Sequence, residues 1–384
     1  MRITGEAKLF CFACFCAIAQ LPLGLHAVGF GLPYEASTVA TNLAATGEFR
    51  DPFGVASGPT AHVASVYPYI LATVIRIFRQ PEAIIWATVI LNACLLGLAA
   101  ALLPVLSRRV YQDATPGFVG GVLLALSIRL MPQWEVALSA LLLLAAALVI
   151  LQGESGAAGL VAGVSVLANP VSFPPLALLA SLRGKRFAGI TLVTALALCT
   201  PWLIRNWMVL GAPYFVRDNF GLELYISNND KAGPDLVGNE ALWTLHPNQN
   251  HEAAAVVVAI GEAAYNRKRF SDALDWIHAH PGQFLWLSAR RVFYYWLPPP
   301  REGWTAYWGW ILTVLAAAGV WLGRFHRTAL LLAIVALVYS LPYVVIQTVG
   351  RYHFPALWIS ALLAGYAITV MLKGGRSILA GRAL

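Results

Sequence analysis

The chain has 384 residues, 59% hydrophobic and only 11% charged, with mean hydropathy +0.68 and formal charge +8. A soluble domain carries roughly 25% charged residues, so a water-soluble globule is excluded and an all-α polytopic integral membrane protein is implied. The cations lie in loops, where they set topology; no basic run interleaved with aromatics projects from a soluble module, which excludes nucleic acid as a partner.

Taken in order, Arg2 and Lys8 precede an apolar run to about Phe30, read as a first membrane helix rather than a cleaved signal. Residues 31–64 are polar and rich in Gly, Pro and Thr, and carry Glu35, Glu48 and Asp51. The segment 65–79 is too short to span and reads as an interfacial helix. Spans follow at about 82–106, 116–130 and 135–151, the first ending in Arg108 and Arg109.

Residues 156–182 read either as one span or as two short helices broken at Asn169-Pro170 and Pro174-Pro175. Only two short helices put Arg183, Lys185, Arg186, Arg324, Arg327 and the tail cations Lys373, Arg376 and Arg382 on the cytoplasmic side. Their broken backbone must then be covered by protein or face a cavity.

A span over 187–204 delivers Arg205 to the outer face, and a mostly polar segment runs to about Gly303. Within it the sequence predicts helices over 252–269, over a stretch capped by Ser271, and over 281–296. The last is basic and aromatic (Arg290, Arg291, Phe293, Tyr294, Tyr295, Trp296) and suits the lipid interface. Spans over 304–323, 328–346 and 355–372 complete about ten membrane helices, two of them short. The division is an N-terminal membrane module (1–204) with a first outer loop (31–81), an outer segment (205–302) and C-terminal membrane helices (303–384). Cys11, Cys14, Cys16, Cys94 and Cys199 all lie in apolar runs and read as small apolar residues.

Under this topology one face collects the groups that carry chemistry. Arg205 and Arg351, at span ends beside Pro- or Gly-bearing backbone, suit a phosphate anion held near lipid, since arginine binds phosphate bidentately and stays charged. The competing role for each arginine is snorkelling to headgroups. Glu35 is placed to act as a general base on an acceptor hydroxyl, and Glu135, behind Trp134, as a second acid or a ligand to a divalent metal ion. Singly, each carboxylate also reads as a solvated helix-end charge. His246 and His251 are too isolated in sequence for a metal site.

The residues also resemble a family. The pieces are YEASTVATNLAATGEFRDPFGVASGPTA (34–61), VYPYILA (66–72), WEVALSALLLL (134–144), LANP (167–170) and PWLIRNWMVLGAPYFVRDNFGLELYISNN (201–229). HPNQNHE (246–252), AYNRKRFSDALDWIHAHPGQFLWLSARRVFYYW (264–296) and GRYHFP (350–355) follow in the same order. Together they are similar to the bacterial branch of GT-C membrane glycosyltransferases, related to protein O-mannosyltransferases and lipid A aminoarabinose transferases. The resemblance implies a sugar donor on a polyprenyl phosphate, used on the periplasmic face of the inner membrane; the span count and loop cations place both chain ends in the cytoplasm. It implies inverting transfer to a hydroxyl or amine of a glycan, lipid or protein acceptor.

Carried over, Glu35 takes the place of the first-loop acid, Arg205 that of the PWxxRN arginine, and Arg351-Tyr352 that of the RY pair; Glu135 matches a tryptophan-acid position. Asn228, Asn229 and His246 are then assigned to a sugar or acceptor loop, and Arg290 and Arg291 to the lipid interface. Two departures stand out: Glu35 lacks the second acid that many relatives have beside it, and the chain ends soon after the RY turn. Two rivals are a flippase or transporter of a lipid-linked sugar, which would want ionisable groups at mid-bilayer, and a non-catalytic membrane partner of the same fold.

Overall fold

The apolar runs fold as helices in the computed structural model, which describes residues 4–19, 34–127 and 130–374. The end of the first apolar run, the start of the first loop, and Arg376 and Arg382 lie outside the described residues. Helix α1 (Gly5–Ile18) is followed by α2 (Glu35–Thr46), α3 (Val66–Phe78), α4 (Pro81–Tyr111), α5 (Thr115–Leu126) and α6 (Val136–Gln152). Then come α7 (Ser155–Ala168), α8 (Phe173–Ser181), α9 (Lys185–Leu210), α10 (Phe220–Ser227), α11 (Glu240–Leu245) and α12 (His251–Ile260). The chain continues through α13 (Glu262–Ala279), α14 (Pro281–Trp296), α15 (Trp304–Leu322), α16 (Arg327–Ser340), α17 (Pro342–Val345), α18 (Gly350–His353) and α19 (Leu357–Leu372). No strand forms among the described residues, only two isolated bridges.

Five helical stretches are long and apolar enough to cross a membrane: α4, α9, α15, Arg327–Val345 and Gly350–Leu372. The expectation of about ten also counted the first run and the segments that fold as α5 to α8. Those helices are shorter, at 14 residues for α1 and 12, 17, 14 and 9 for α5 to α8.

The chain breaks at Asn169, as the proline pattern predicts. The Asn169 side chain accepts from Val171 N at 3.2 Å and donates to the Tyr339 hydroxyl at 3.1 Å. Protein thus replaces the hydrogen bonds that the interrupted helix gives up, as apolar surroundings require.

Small residues let the spans meet backbone to backbone. A Cβ added at Gly365 of α19 would sit 2.2 Å from Pro116 O and 2.6 Å from Gly120 N of α5. One added at Gly319 of α15 would meet Leu363 O at 2.0 Å. This is the close approach that small-residue seams give helices lacking a hydrophobic drive to associate. Helices α7 and α9 run parallel along a similar seam, with Gly159 against Thr191 and Gly163 against Ala195.

The polar connections separate to two ends of this bundle. One end carries the ion pairs Arg108–Glu6 (2.6 Å) and Lys373–Asp113 (2.8 Å). The other carries α2, α3, α10 to α14 and the turn before α19. There α14 exposes Leu285, Trp286 and Phe293 and buries Leu287 and Tyr295, as an interfacial helix does. The boundary expected at Ser271 falls instead at Gly261, whose φ of +81° suits glycine and stops α12. Ser271 lies inside the continuous α13.

Substituting Gly365→Ala forces α5 and α19 apart and is expected to cost about 1–3 kcal/mol, seen as a lower unfolding temperature in detergent. Gly156→Ala, with open space at its Cβ, leaves that temperature unchanged or slightly raised.

Candidate active site

Helix α2 starts at Glu35, where the free N–H groups of the first turn favour a carboxylate. Its side chain is buried, with 7% of the residue exposed, and forms one wall of a cavity of about 540 Å³. Across it stand Trp134 and Glu135 at the head of α6, Arg217 and Glu223 around the start of α10, His246 after α11, and Arg351 and Tyr352 of α18. The helix break at Asn169-Pro170 lines the same space, so the cavity also accounts for the interrupted helix.

Three buried groups cluster at Glu35. His246 Nε2 is 3.7 Å from Glu35 Oε1, and ligand atoms of Glu35, His62 and His246 all lie within 4.8 Å of one another. Glu35 Oε2 and His62 Nδ1 are buried without a hydrogen-bond partner. Burial raises the Glu35 carboxyl above its usual range, with Arg351 and Arg217 opposing it. Burial pushes His246 down to about 4 and His62 well below the usual imidazole range. Both imidazoles are therefore neutral near pH 7, the form that binds metal.

One carboxylate with two imidazoles is the donor set of several catalytic zinc sites. Glu35 Oε2 and His62 Nδ1 fit that use directly. His246 needs a tautomer change, because its Nδ1 accepts from Asn248 N at 3.0 Å, which leaves the proton on Nε2 facing Glu35. The distance between His62 and His246 in sequence hides this grouping, and the isolation inferred for His246 does not survive folding.

The arginines divide by what already holds them. Arg351 sits over Trp134, its guanidinium carbon 3.9 Å from the ring centroid. Among the described residues it makes one long hydrogen bond, 3.4 Å to the Tyr352 hydroxyl, and no carboxylate forms an ion pair with it. It is a cation held in place with its donors to spare. Arg217 donates from Nε to His62 O at 3.0 Å and reaches Glu135 Oε1 at 3.4 Å.

Arg205, by contrast, is absent from the cavity lining. Its Nη1 donates to Thr60 O and its Nη2 to Phe49 O at 2.8 Å, while the guanidinium stacks between Phe49 and Trp202. The phosphate role expected for Arg205 meets a side chain already committed to the backbone of the first loop.

That loop is held from every side. Thr60 Oγ1 and Ala61 N donate to Glu262 at 2.6 and 2.7 Å, and His62 N donates to Thr60 Oγ1 at 2.9 Å. Asp218 N donates to Ala61 O at 3.0 Å.

The remaining expected residues are placed as follows. Asn228 is buried, donating to Leu224 O and Val345 O and accepting from Arg291. Asn229 donates to Tyr225 O and Ile226 O and accepts from Lys231 N. Both amides are consumed within the protein, by backbone and by Arg291, and stand outside the cavity lining. Arg291 is fully buried and binds Ser227 O, Asn228 and Val345 O, so it ties α14 inward rather than to lipid. Arg290 is exposed against Trp286 and Tyr294. Glu48 and Asp51 pair with Arg50.

Comparison with solved structures finds the same arrangement of helices in the oligosaccharyltransferase of Archaeoglobus fulgidus. Its apo form superposes with a TM-score of 0.55 at 13% identity, over 98% of this chain and 51% of that one. The form in complex with zinc and sulfate gives 0.54 at 14% identity, over 97% and 50%. The likeness is one of fold. It supports the helical membrane architecture expected from the sequence, and the chain spans about half the length of the solved chains it matches. No protein-family model matches the chain, and no curated protein matches it in sequence.

His62, Arg217, Glu223, Asp218 and Glu262 escape a reading by motif. Arg217 and Asp218 lie in the same polar stretch as Arg205, and a rule assigning the phosphate to whichever arginine is left without backbone partners needs the fold.

Two measurements follow. Arg205→Ala strips charged hydrogen bonds from two carbonyls and is expected to cost about 2–4 kcal/mol, whereas Arg351→Ala shifts unfolding by about 1 kcal/mol or less because only ring contacts and one long hydrogen bond are lost. Thermal unfolding of both variants decides this. Zinc at 100 times its dissociation constant stabilises a protein that binds it by ~2.7 kcal/mol; for a metal at this cluster the expected outcome is that shift in the wild type and its loss in His62→Ala with Glu35→Gln.

Proposed function

We propose that the chain is a membrane glycosyltransferase that moves a sugar from a polyprenyl-phosphate carrier to an acceptor hydroxyl or amine. The observation that carries the reading is one cavity joining a buried carboxylate, Glu35, to a cation short of partners, Arg351. A donor of this kind brings a phosphate that needs fixed positive charge as it leaves, and an acceptor that needs a base.

In the displacement, the acceptor oxygen attacks the anomeric carbon and the bond from that carbon to the phosphate oxygen breaks. The acceptor's proton goes to Glu35, and the lipid phosphate leaves with the bonding pair. Arg351 and Arg217 face that developing charge, while Tyr352, stacked on Tyr343 with ring centroids 4.7 Å apart, holds Arg351 in reach. Glu135 restrains Arg217. Arg205 becomes a positioning residue, setting the loop that presents His62. A divalent cation, when bound, would be held by Glu35, His62 and His246 and would add positive charge beside the phosphate.

The archaeal relative that takes zinc and sulfate, a divalent cation and a tetrahedral anion, supports both assignments by analogy of fold. The membrane carries the donor, with the cavity on the periplasmic side of a bacterial inner membrane and the arginine-paired end cytoplasmic. The interfacial α14 and the α7–α8 break lie along the donor's lipid tail.

The test uses purified protein in lipid nanodiscs with radiolabelled polyprenyl-phosphate sugars and acceptor extracts. Transfer is expected to fall by about 10²-fold or more in Glu35→Gln, and steeply in Arg351→Ala despite its intact stability. Wild-type transfer rises with pH through the raised Glu35 value, because the base works only when ionised. Full transfer by Glu35→Gln would remove the base from the scheme. Donor movement across the membrane without acceptor-dependent consumption would favour a flippase.

A further inference from the structure

Behind the cavity, two carboxyl groups that the displacement does not use are buried together. Asp218 is 4% exposed and both its carboxyl oxygens lack a hydrogen-bond partner; Glu262 is also 4% exposed. They meet at the same stretch of the first loop: Glu262 accepts from Thr60 Oγ1 and Ala61 N, and Asp218 N donates to Ala61 O, so Glu262 raises the cost of ionising Asp218. Two ionised carboxylates in such a place repel strongly, and like-charge pairs in dry surroundings keep one proton between them.

Their settings differ. Glu262 opens α13, at the end of the helix dipole that favours a negative charge, and takes hydrogen bonds from Thr60 Oγ1 and Ala61 N. Asp218 has no such donors on its oxygens. A proton on Asp218, donated to Glu262, gives one Asp218 oxygen a partner and removes the repulsion between the two.

We propose that Asp218 and Glu262 share this single proton and are positioning residues that hold the Thr60–His62 loop, and thereby His62, against Glu35. Glu262 grips the loop by its Thr60 hydroxyl and Ala61 amide, and the amide of Asp218 grips the Ala61 carbonyl from the opposite side. The proton turns what would be a repulsion across the loop into a clamp. The proposal rests on the reading of Glu35 and its neighbours as the working site.

The charged and titratable groups facing the pair are Arg205 from α9, Arg217 and Tyr214 from the segment after α9, and Arg267 of α13 through Tyr214. The arginines keep their charge over the accessible pH range. Burial raises both acids, and Glu262 raises Asp218 further, while Thr60, Ala61 and Arg205 pull Glu262 back. With the folded-state value raised, the stabilising contribution is complete below the ordinary carboxylate range and is lost as pH rises through the raised value.

The experiment compares the wild type with Asp218→Asn, Asp218→Ala and Glu262→Gln in nanodiscs. Infrared difference spectra of wild type minus Asp218→Asn near neutral pH should show the carbonyl stretch of a neutral carboxylic acid. Thermal stability of the wild type should fall on the alkaline side, while Asp218→Asn, whose amide donates to Glu262 without titrating, stays level. Transfer should persist in Asp218→Asn and extend to higher pH, and drop roughly 10- to 100-fold in Asp218→Ala, as when groups that orient an active-site ligand are lost. Glu262→Gln, folded by its unfolding curve, should lose transfer similarly.

An absent acid band, or equal alkaline stability in wild type and Asp218→Asn, overturns the shared proton. Full transfer by folded Asp218→Ala overturns the positioning role. If the wild type transfers no sugar, the spectral and stability arms still decide the proton, and the failure falls on the proposed activity.

Discussion

The Thr60–His62 loop is the constraint on which the site depends. A stretch without helix or strand must have each polar backbone group satisfied when it is buried. Here Arg205, Arg217, Asp218 and Glu262 do that from three different parts of the chain. These contacts fix the direction of His62 and bring the first loop, the segment after α9 and the start of α13 into one wall. Charged side chains are thus used as structural cross-ties where a sheet or a disulfide would serve in a secreted protein.

Arg205 and Arg351 show how the same residue type is put to opposite uses. Arg205 makes short bonds to two carbonyls and two aromatic contacts, leaving little for a ligand. Arg351 has a flat aromatic bed and a long bond to a tyrosine, so most of its donors still lack partners inside a cavity. Holding an under-satisfied cation there costs stability, and a tightly packed neighbourhood must compensate. The α5–α19–α15 seam, where backbones touch at Gly120, Gly365 and Gly319, packs the helix that follows the turn carrying Arg351.

Much of this architecture is legible in residue order, because apolar runs, prolines and loop cations act locally. The break at Asn169-Pro170, the amphipathic helix over 281–296 and the choice of Glu35 and Arg351-Tyr352, which the fold brings to one cavity, all come from short stretches. What escapes depends on tertiary accounting. Nothing near His62 announces that it will meet Glu35 and His246, and nothing in Asn228-Asn229 shows that its amides will be absorbed by helix ends. Ser271 has the chemistry of a helix cap, but Gly261 stops the preceding helix first and leaves Ser271 in mid-helix.

The clamp on the first loop also sets an order of events in making the protein. Thr60 and Glu262 are 202 residues apart, an interval of about 10–40 s at the usual pace of synthesis of ~5–20 residues per second. During that interval Glu35 and His62 have left the ribosome but have neither the carboxylate that grips their loop nor the arginine that faces them. The first loop must wait, hydrated and unburied, while ten further helices, α3 to α12, are made. Polar side chains that later become buried are safest in a segment that stays in water until its partners arrive, and the Gly- and Pro-rich composition of 47–59 keeps this one from folding prematurely.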